Sequence, residues 1–356
     1  MLLSPPVAMS VVQVPAPTLP APAAATQSQP LAPASQAPTP APAAPAIHEP
    51  SSTPAAQVPQ AAPPAPAPAS GQPVPEVTVQ APEPRYVAPT NRDRIGRIWA
   101  PVLIDGKGPF RLVLDTGANH SAITPATARA LGSPGAGTVT LVTGFTGSAV
   151  VPTISVSSME VGDLLMGPTM LPIVADVFGG AQGVLGNQGF QGKRIFADFA
   201  HDKLVIARSH GEPAQRGFSV VRLKVIEGGL LLADARVGGV RCKAIIDTGA
   251  QGSVGNLPLR NELMRHPPRH PQRADIVGVT LDVQSGDYLP APDIEMGGLT
   301  IRGVHITFGD MYLFQHWKLT TKPVLLLGMD LLGSFDVLII DYRMEEMQIQ
   351  LTRAQL

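Results

Sequence analysis

Two acids in matching settings are the residues of this chain best placed to do chemistry. Leu112-Val113-Leu114-Asp115-Thr116-Gly117-Ala118 and Ala244-Ile245-Ile246-Asp247-Thr248-Gly249-Ala250 each run a short apolar strand into a carboxylate on a glycine turn. Building that arrangement twice points to two carboxylates brought together across a pseudo-twofold axis. Carboxyl groups about 3 Å apart cannot both ionise, so they hold one proton between them. The ionised member can then take a proton from water while the protonated member activates a carbonyl. Such a titration belongs to the pair and to neither residue alone.

The elements around the two acids repeat as well. Each acid is followed at the same offset by a helix-cap residue, Thr124 in the first half and Asn256 in the second, with Pro125 and Pro258 close behind. Cap and early proline predict short helices over Ala126 to Leu131, stopped by Gly132, and over Leu259 to Met264. Further on, Gly183-Val184-Leu185-Gly186 and Leu325-Leu326-Leu327-Gly328 are apolar runs closing on Leu-Gly. Each leads to an apolar-acidic strand, Ile195 to Phe199 and Leu338 to Tyr342. An internal duplication of this kind carries more weight than either motif alone. Between the anchors, Thr138 to Val151 reads as a hairpin with Gly144-Phe145-Thr146-Gly147 at its tip. Ile276 to Leu289 reads as its counterpart, turning at Gln284-Ser285-Gly286-Asp287. Strands spaced by turn signals, with only short helices, predict an all-β fold.

Composition sets the limits. More than half of the 39 prolines lie before Arg85, in a stretch of Pro, Ala, Gln, Ser and Thr. That stretch cannot bury enough apolar surface to offset its ordering entropy, so residues 1–85 read as a disordered, semi-stiff spacer. The spacer favours a periplasmic or secreted setting. The opening Met1 to Ala8 lacks a basic region and fits either the tail of a signal peptide or an ordinary disordered terminus. A net charge of −1 gives no reason to expect a nucleic-acid partner. The basic run Arg260 to Arg273 is broken by Pro267, Pro268 and Pro271, so it reads as a solvated loop; His266 and His270 within it cannot align on a helix as metal ligands. No metal or other cofactor is expected. Cys242 is the single cysteine, which excludes an internal disulfide. The most apolar stretch, Val324 to Ile340, is interrupted by Asp330 and Asp336, so no membrane span is expected.

Apolar-apolar-Asp-Thr-Gly-Ala with a downstream Leu-Gly resembles the retropepsin-like aspartyl proteases, over about Arg97 to Leu351. The chain looks like a bacterial-type, single-chain protein with two such lobes, residues 86–212 and 213–356. The resemblance implies two pseudo-symmetric β-barrel lobes with Asp115 and Asp247 meeting at their interface as the catalytic pair. It implies that Thr116 and Thr248 hydrogen-bond across that interface, and that Leu185-Gly186 and Leu327-Gly328 pass under the acid loops. The glycine hairpins would be flaps, with Gly144, Phe145 and Gly147 as the flap candidates. Gly117 and Gly249 allow a tight turn where a side chain would crowd the partner lobe.

The expected activity is that of an aspartic endopeptidase, active as a monomer on a peptide or protein substrate. The alternative is a non-catalytic module that binds an extended peptide in the same two-lobed cleft by strand addition. A further alternative tethers an interaction platform by its Pro/Ala arm. Two features depart from the family pattern: Asn187-Gln188-Gly189 stands where the second half has Met329-Asp330-Leu331, and the first hairpin has no tyrosine of the pepsin type. His120 reads as a local polar contact, since the second half has Gly252 there. Asn119-His120-Ser121 reads as a fortuitous glycosylation sequon.

Overall fold

Runs of Val, Ile and Leu punctuated by glycine form strands along nearly the whole chain after the Pro/Ala-rich stretch. The computed structural model describes residues 10–13, 86–89, 97–133, 138–264 and 271–351. All of these lie in one unit made of residues 1–17 and 82–356. Strands dominate, and the helices among the described residues are short: Pro125–Ala130, Leu257–Leu263, Tyr312–His316 and Met329–Leu332. The curled sheets form half-barrels, as the expected fold class requires.

The two halves share one strand order. In the first it is Ala122–Ile123, Gly183–Leu185, Lys107–Leu114, Trp99–Ile104, Met159–Val161, Leu164–Met166. In the second it is Val254–Gly255, Val324–Leu327, Val240–Ile246, Leu231–Val237, Ile294–Met296, Leu299–Arg302. In each, the strand that carries the acid runs parallel to the strand that ends at Leu-Gly, with Leu114 opposite Leu185 and Ile246 opposite Leu327. The two strands that end at Leu-Gly are apolar on both faces and buried throughout, as strands covered on both sides must be. Burying each such Leu or Ile side chain contributes about 1.5–3 kcal/mol.

A floor of antiparallel strands joins the halves: Ser219–Val225, Glu346–Gln350, Val337–Asp341, Lys193–Asp198, Lys203–Arg208 and Tyr86–Pro89. The two apolar-acidic strands read from the sequence pair here, Arg194 opposite Asp341 and Asp198 opposite Val337. Asp341 is fully buried and fully partnered. It accepts hydrogen bonds from Arg194 Nη1 (3.2 Å), Ser209 Oγ (2.8 Å) and the backbone N–H groups of Arg343 and Met344 (3.0 Å each). That ties first-half and second-half strands together without leaving a buried charge alone.

Both predicted helices form, a residue or two earlier than expected. Thr124 Oγ1 accepts from Thr127 N (3.3 Å) and Asn256 Oδ1 from Leu259 N (3.1 Å), so both caps act as the sequence implied. Gly132 follows the first helix at φ 84°.

The first hairpin forms as read, from Val139–Thr143 and Ser148–Val156, closed by Gly144 N donating to Gly147 O (2.8 Å). The second does not turn where expected. It runs Gln272–Val277 and Val283–Pro290 and turns at residues 278–282. Gln284, Ser285, Gly286 and Asp287 lie inside its strand, opposite Ile276 back to Arg273. Gly286 marks a close approach of strands and not a turn: a Cβ there would sit 2.6 Å from Thr307 Cγ2 and 2.7 Å from Phe308 O.

The expected disorder of residues 1–85 lies outside the described residues, with one exception. Ser10–Gln13 forms a strand parallel to Leu299–Arg302. Val11 and Val12 are β-branched and sit in a proline-free window between Pro6 and Pro15, the part of the spacer best suited to pairing. The centre of the basic run, residues 265–270, also falls outside the described residues. Its two ends do not stand free, since Arg260 and Arg273 both pair with Asp287. Cys242 is a buried free thiol, pushed up to about 12 by burial. No helix among the described residues is long and apolar enough to cross a membrane.

Candidate functional site

Each acid loop hangs from its buried strand by the same bonds. Asp115 N donates to Leu185 O and Asp247 N to Leu327 O, both at 3.0 Å. The loop then folds back on its own carboxylate. Asp115 Oδ1 accepts from Gly117 N (2.8 Å) and Ala118 N (2.9 Å); Asp247 Oδ1 accepts from Gly249 N (2.9 Å) and Ala250 N (3.1 Å). One oxygen of each acid is thereby fixed by backbone donors.

The loops are locked to each other through the two threonines. Thr116 Oγ1 donates to Ile246 O and Thr248 Oγ1 to Leu114 O, both at 2.7 Å. Each hydroxyl oxygen also accepts the other loop's threonine N–H at 3.1 Å. Thr116 and Thr248 are fully buried, so the four bonds form away from competing water. The two side chains of Asp115 and Asp247 are in hydrogen-bonding contact. The glycines make this approach possible: a Cβ on Gly117 would lie 2.6 Å from Asp247 Cγ, and one on Gly249 would overlap the Asp115 carboxyl.

The electrostatics of the pair follow from burial. Burial raises the Asp115 pKa, opposed by the N–H bonds from Gly117 and Ala118, by its hydrogen bond with Asp247 and by the charge of Arg97. Burial raises Asp247 well above the usual carboxylate range, reinforced by the negative charge of Asp115. Asp247 is 7 % exposed while Asp115 is more open. The arrangement holds one proton at pH values where free carboxyls hold none.

A second ring of contacts supports the loops and was missed in the sequence. Ser121 and Ser253 stand six residues after their acids. Ser121 Oγ accepts from Gly186 N and Ser253 Oγ from Gly328 N, both at 3.1 Å. Gln188 and Asp330, read only as a departure between the halves, occupy equivalent places. Ser121 N donates to Gln188 Oε1 (2.6 Å), and Ser253 N and Oγ donate to Asp330 (2.9 and 2.8 Å). The signal available was a serine at the same offset in both halves. His120 is exposed.

The flap candidates sit against the second lobe. Gly144, Thr146 and Gly147 are buried at the hairpin tip. Phe145 O accepts from Leu313 N (3.2 Å), and the Phe145 ring meets Phe314 edge-on at 6.0 Å. Ser148 Oγ and Tyr312 OH are hydrogen-bonded at 2.9 Å. The two hairpin tips touch, Gly144 and Gly147 against Val279 and Asp282, Thr146 against Gly278. Each tip lends an apolar side chain to the other lobe. Val279 joins a first-lobe cluster with Ala118, Trp99 and Phe178, and Phe145 joins a second-lobe cluster with Ala250, Met311 and Phe314. A cavity of about 360 Å³ is lined by Asn187, Gly189, Gln191, Tyr342 and Glu345 among others, and by neither acid, neither threonine and no flap candidate. Among the described residues no group of three His, Cys, Asp or Glu could hold a metal ion.

A family model described as aspartyl protease matches residues 100–188 and 233–331, one triplet in each segment and together more than half of the chain. A search of curated proteins finds no match.

Proposed function

Because the chain belongs to the aspartyl protease family, we propose that it is an aspartic endopeptidase whose catalytic pair is Asp115 and Asp247. The observation that carries the reading is the contact between a buried and a half-buried carboxyl on loops locked by reciprocal threonine bonds. Such a pair presents a base and an acid side by side in a fixed geometry, as hydrolysis of an amide requires.

In this mechanism a water sits between the free carboxyl oxygens. The ionised carboxylate takes its proton as the oxygen attacks the peptide carbonyl, and the protonated carboxyl gives its proton to the carbonyl oxygen. A neutral tetrahedral diol results. Its collapse breaks the C–N bond, with one proton passing to the leaving nitrogen and the other restoring the singly protonated pair. The backbone N–H groups of residues 117–118 and 249–250 hold the carboxylates still through both steps. The hairpin tips cover the substrate and exclude water. Both acids lie in one chain, so the active species is a monomer.

Activity then follows a bell in pH, its acid limb set by the first ionisation of the pair and its alkaline limb by the second. The test is digestion of a peptide library by the purified protein with and without pepstatin, across pH. Pepstatin-sensitive cleavage with a bell-shaped profile is the expected result. Peptides bound but uncut at every pH would replace the enzyme with the strand-addition module.

A further inference from the structure

The two acid loops are near copies, yet the strands leading to them differ at one telling position. Trp99 pairs with Val113 in the first half and Leu232 with Ile245 in the second. Two residues earlier, just ahead of each of these neighbouring strands, stand Arg97 and Leu230. Both are buried, at 7 % and 5 % exposure. A buried arginine is uncommon, and this one has no equivalent in the other lobe.

Arg97 reaches across the interface. Its Nη1 donates to Gly249 O at 3.5 Å, in the opposite lobe's acid loop. Gly249 is the residue packed directly against the Asp115 carboxyl. The guanidinium also lies over the Phe178 ring, its carbon 6.0 Å from the centroid, which fixes it on the apolar side. A positive charge is thus held on one side of the pair and at low dielectric, where its reach is longest.

We propose that Arg97 is a positioning residue that breaks the symmetry of the pair, holding the negative charge on Asp115 and leaving the shared proton on Asp247. Asp115 is then the base that activates water and Asp247 the acid that protonates the carbonyl. The proposal deepens the peptidase reading and rests on it for those two roles. Three charged or titratable groups face Asp115 among the described residues: Asp247, Arg97 and the Tyr342 phenol. A protonated Asp247 favours negative charge on Asp115 through their hydrogen bond, and Tyr342 is a neutral phenol held so by burial. Arg97 is the positive charge among them, absent from the other lobe, and it adds to the Asp247 hydrogen bond and the loop N–H groups in opposing the burial-driven rise at Asp115.

The test uses the full chain as wild type, Arg97→Leu (the residue of the other lobe) and Arg97→Lys. Carboxyl ¹³C NMR titration of Asp-labelled protein reads the pair without needing a substrate. In wild type Asp115 ionises at lower pH than Asp247. Leucine moves the Asp115 titration to higher pH and narrows the gap; lysine keeps the charge and keeps the order. With substrate, leucine moves the acid limb of kcat/KM to higher pH with little change in the alkaline limb, whereas a merely structural role would lower the whole profile without displacing it. Asp247 ionising first in wild type, an unmoved Asp115 titration in the leucine variant, or a reversed order in the lysine variant overturns the proposal. Should leucine fail to fold, the wild-type and lysine titrations still decide it. A wild type that cleaves nothing would sink the peptidase reading, while the NMR titrations would judge Arg97 separately.

Discussion

The loops at Asp115 and Asp247 match bond for bond, while the ground beneath them does not. Both acids take two backbone N–H groups on Oδ1, both hang 3.0 Å from a leucine carbonyl, and both threonines cross at 2.7 Å. Around that common frame the first lobe has Arg97, Gln188 and the large tip residue Phe145, and the second has Leu230, Asp330 and the small Val279. The comparison teaches where symmetry is needed. Two carboxyls in contact require matched backbone placement, because an error at either loop separates them. Their surroundings are free to diverge, and in the proposed mechanism that divergence would let one carboxyl serve as base and the other as acid.

Removing either member of the matched set gives the largest expected effect. Asp115→Asn and Asp247→Asn should each lower kcat/KM by about 10³-fold or more, since either change removes half of the proposed acid–base pair. Both should also stabilise the fold at neutral pH. Each acid has its pKa raised by burial, so its stability contribution is full below the ordinary value of 3.8 and is lost as pH rises through the folded value. Asn keeps the Oδ1 acceptor and has nothing to ionise. A melting temperature at pH 7 above that of wild type, with no cleavage, is the expected result; cleavage by either folded variant ends the assignment of the pair.

Next in size is the lock itself. Thr116→Val or Thr248→Val preserves shape but strands a buried carbonyl and a buried N–H of the opposite loop, which costs about 2 kcal/mol. The two single variants should lose the same amount, because each hydroxyl makes the same two bonds. Urea unfolding measures this, and a large difference between them would show the lock to be one-sided.

The hairpin tips test where the lobes differ. A Cβ on Gly147 would strike the Asp282 carboxylate, so Gly147→Ala should prise the tips apart. If the tip covers the substrate as proposed, turnover should fall by roughly 10-fold with little change in melting temperature. Adding Asp282→Ala removes the clash and should restore most of the rate. Failure of the second change to rescue the first would separate the hairpin from catalysis.

Much of this could be read from the residues because it is local. The acid triplets, Leu-Gly strands, caps at Thr124 and Asn256, and first hairpin all depend on neighbours in sequence. What escaped notice depends on partners brought in from afar. Gly286 looked like a turn because the strand crowding it, around Thr307 and Phe308, is distant in the chain. Gln188 and Asp330 looked like a divergence because their shared task, receiving the N–H of Ser121 or Ser253, appears only when the Leu-Gly strand lies beside the acid loop. Arg97 carried no local motif at all; its proposed role rests on a bond to Gly249 in the opposite acid loop.

The smallest effect should come from making the second lobe's support resemble the first. Asp330 keeps a solvent-exposed side, yet the desolvation of its carboxyl against the acid loop raises its pKa over the opposing bonds from Ser253. Its stability contribution is therefore full below pH 3.8 and is lost as pH rises through its folded value. Asp330→Gln substitutes the side chain that already does this work at Gln188, whose Oε1 accepts Ser121 N and whose Nε2 donates to Ser121 Oγ at 3.0 Å. The net change at pH 7 should stay within about 1 kcal/mol, one good hydrogen bond exchanged for another. The sharper readout is a difference of differences. Between pH 4 and pH 7 the Gln variant should gain stability relative to wild type, because it lacks a group whose ionisation is penalised. The unfolding midpoints in urea at both pH values supply the four numbers needed. A gap between variant and wild type that is the same at both values would mean that Asp330 is as easily ionised in the folded chain as in the unfolded one, and that Gln188 and Asp330 are electrostatic equals after all.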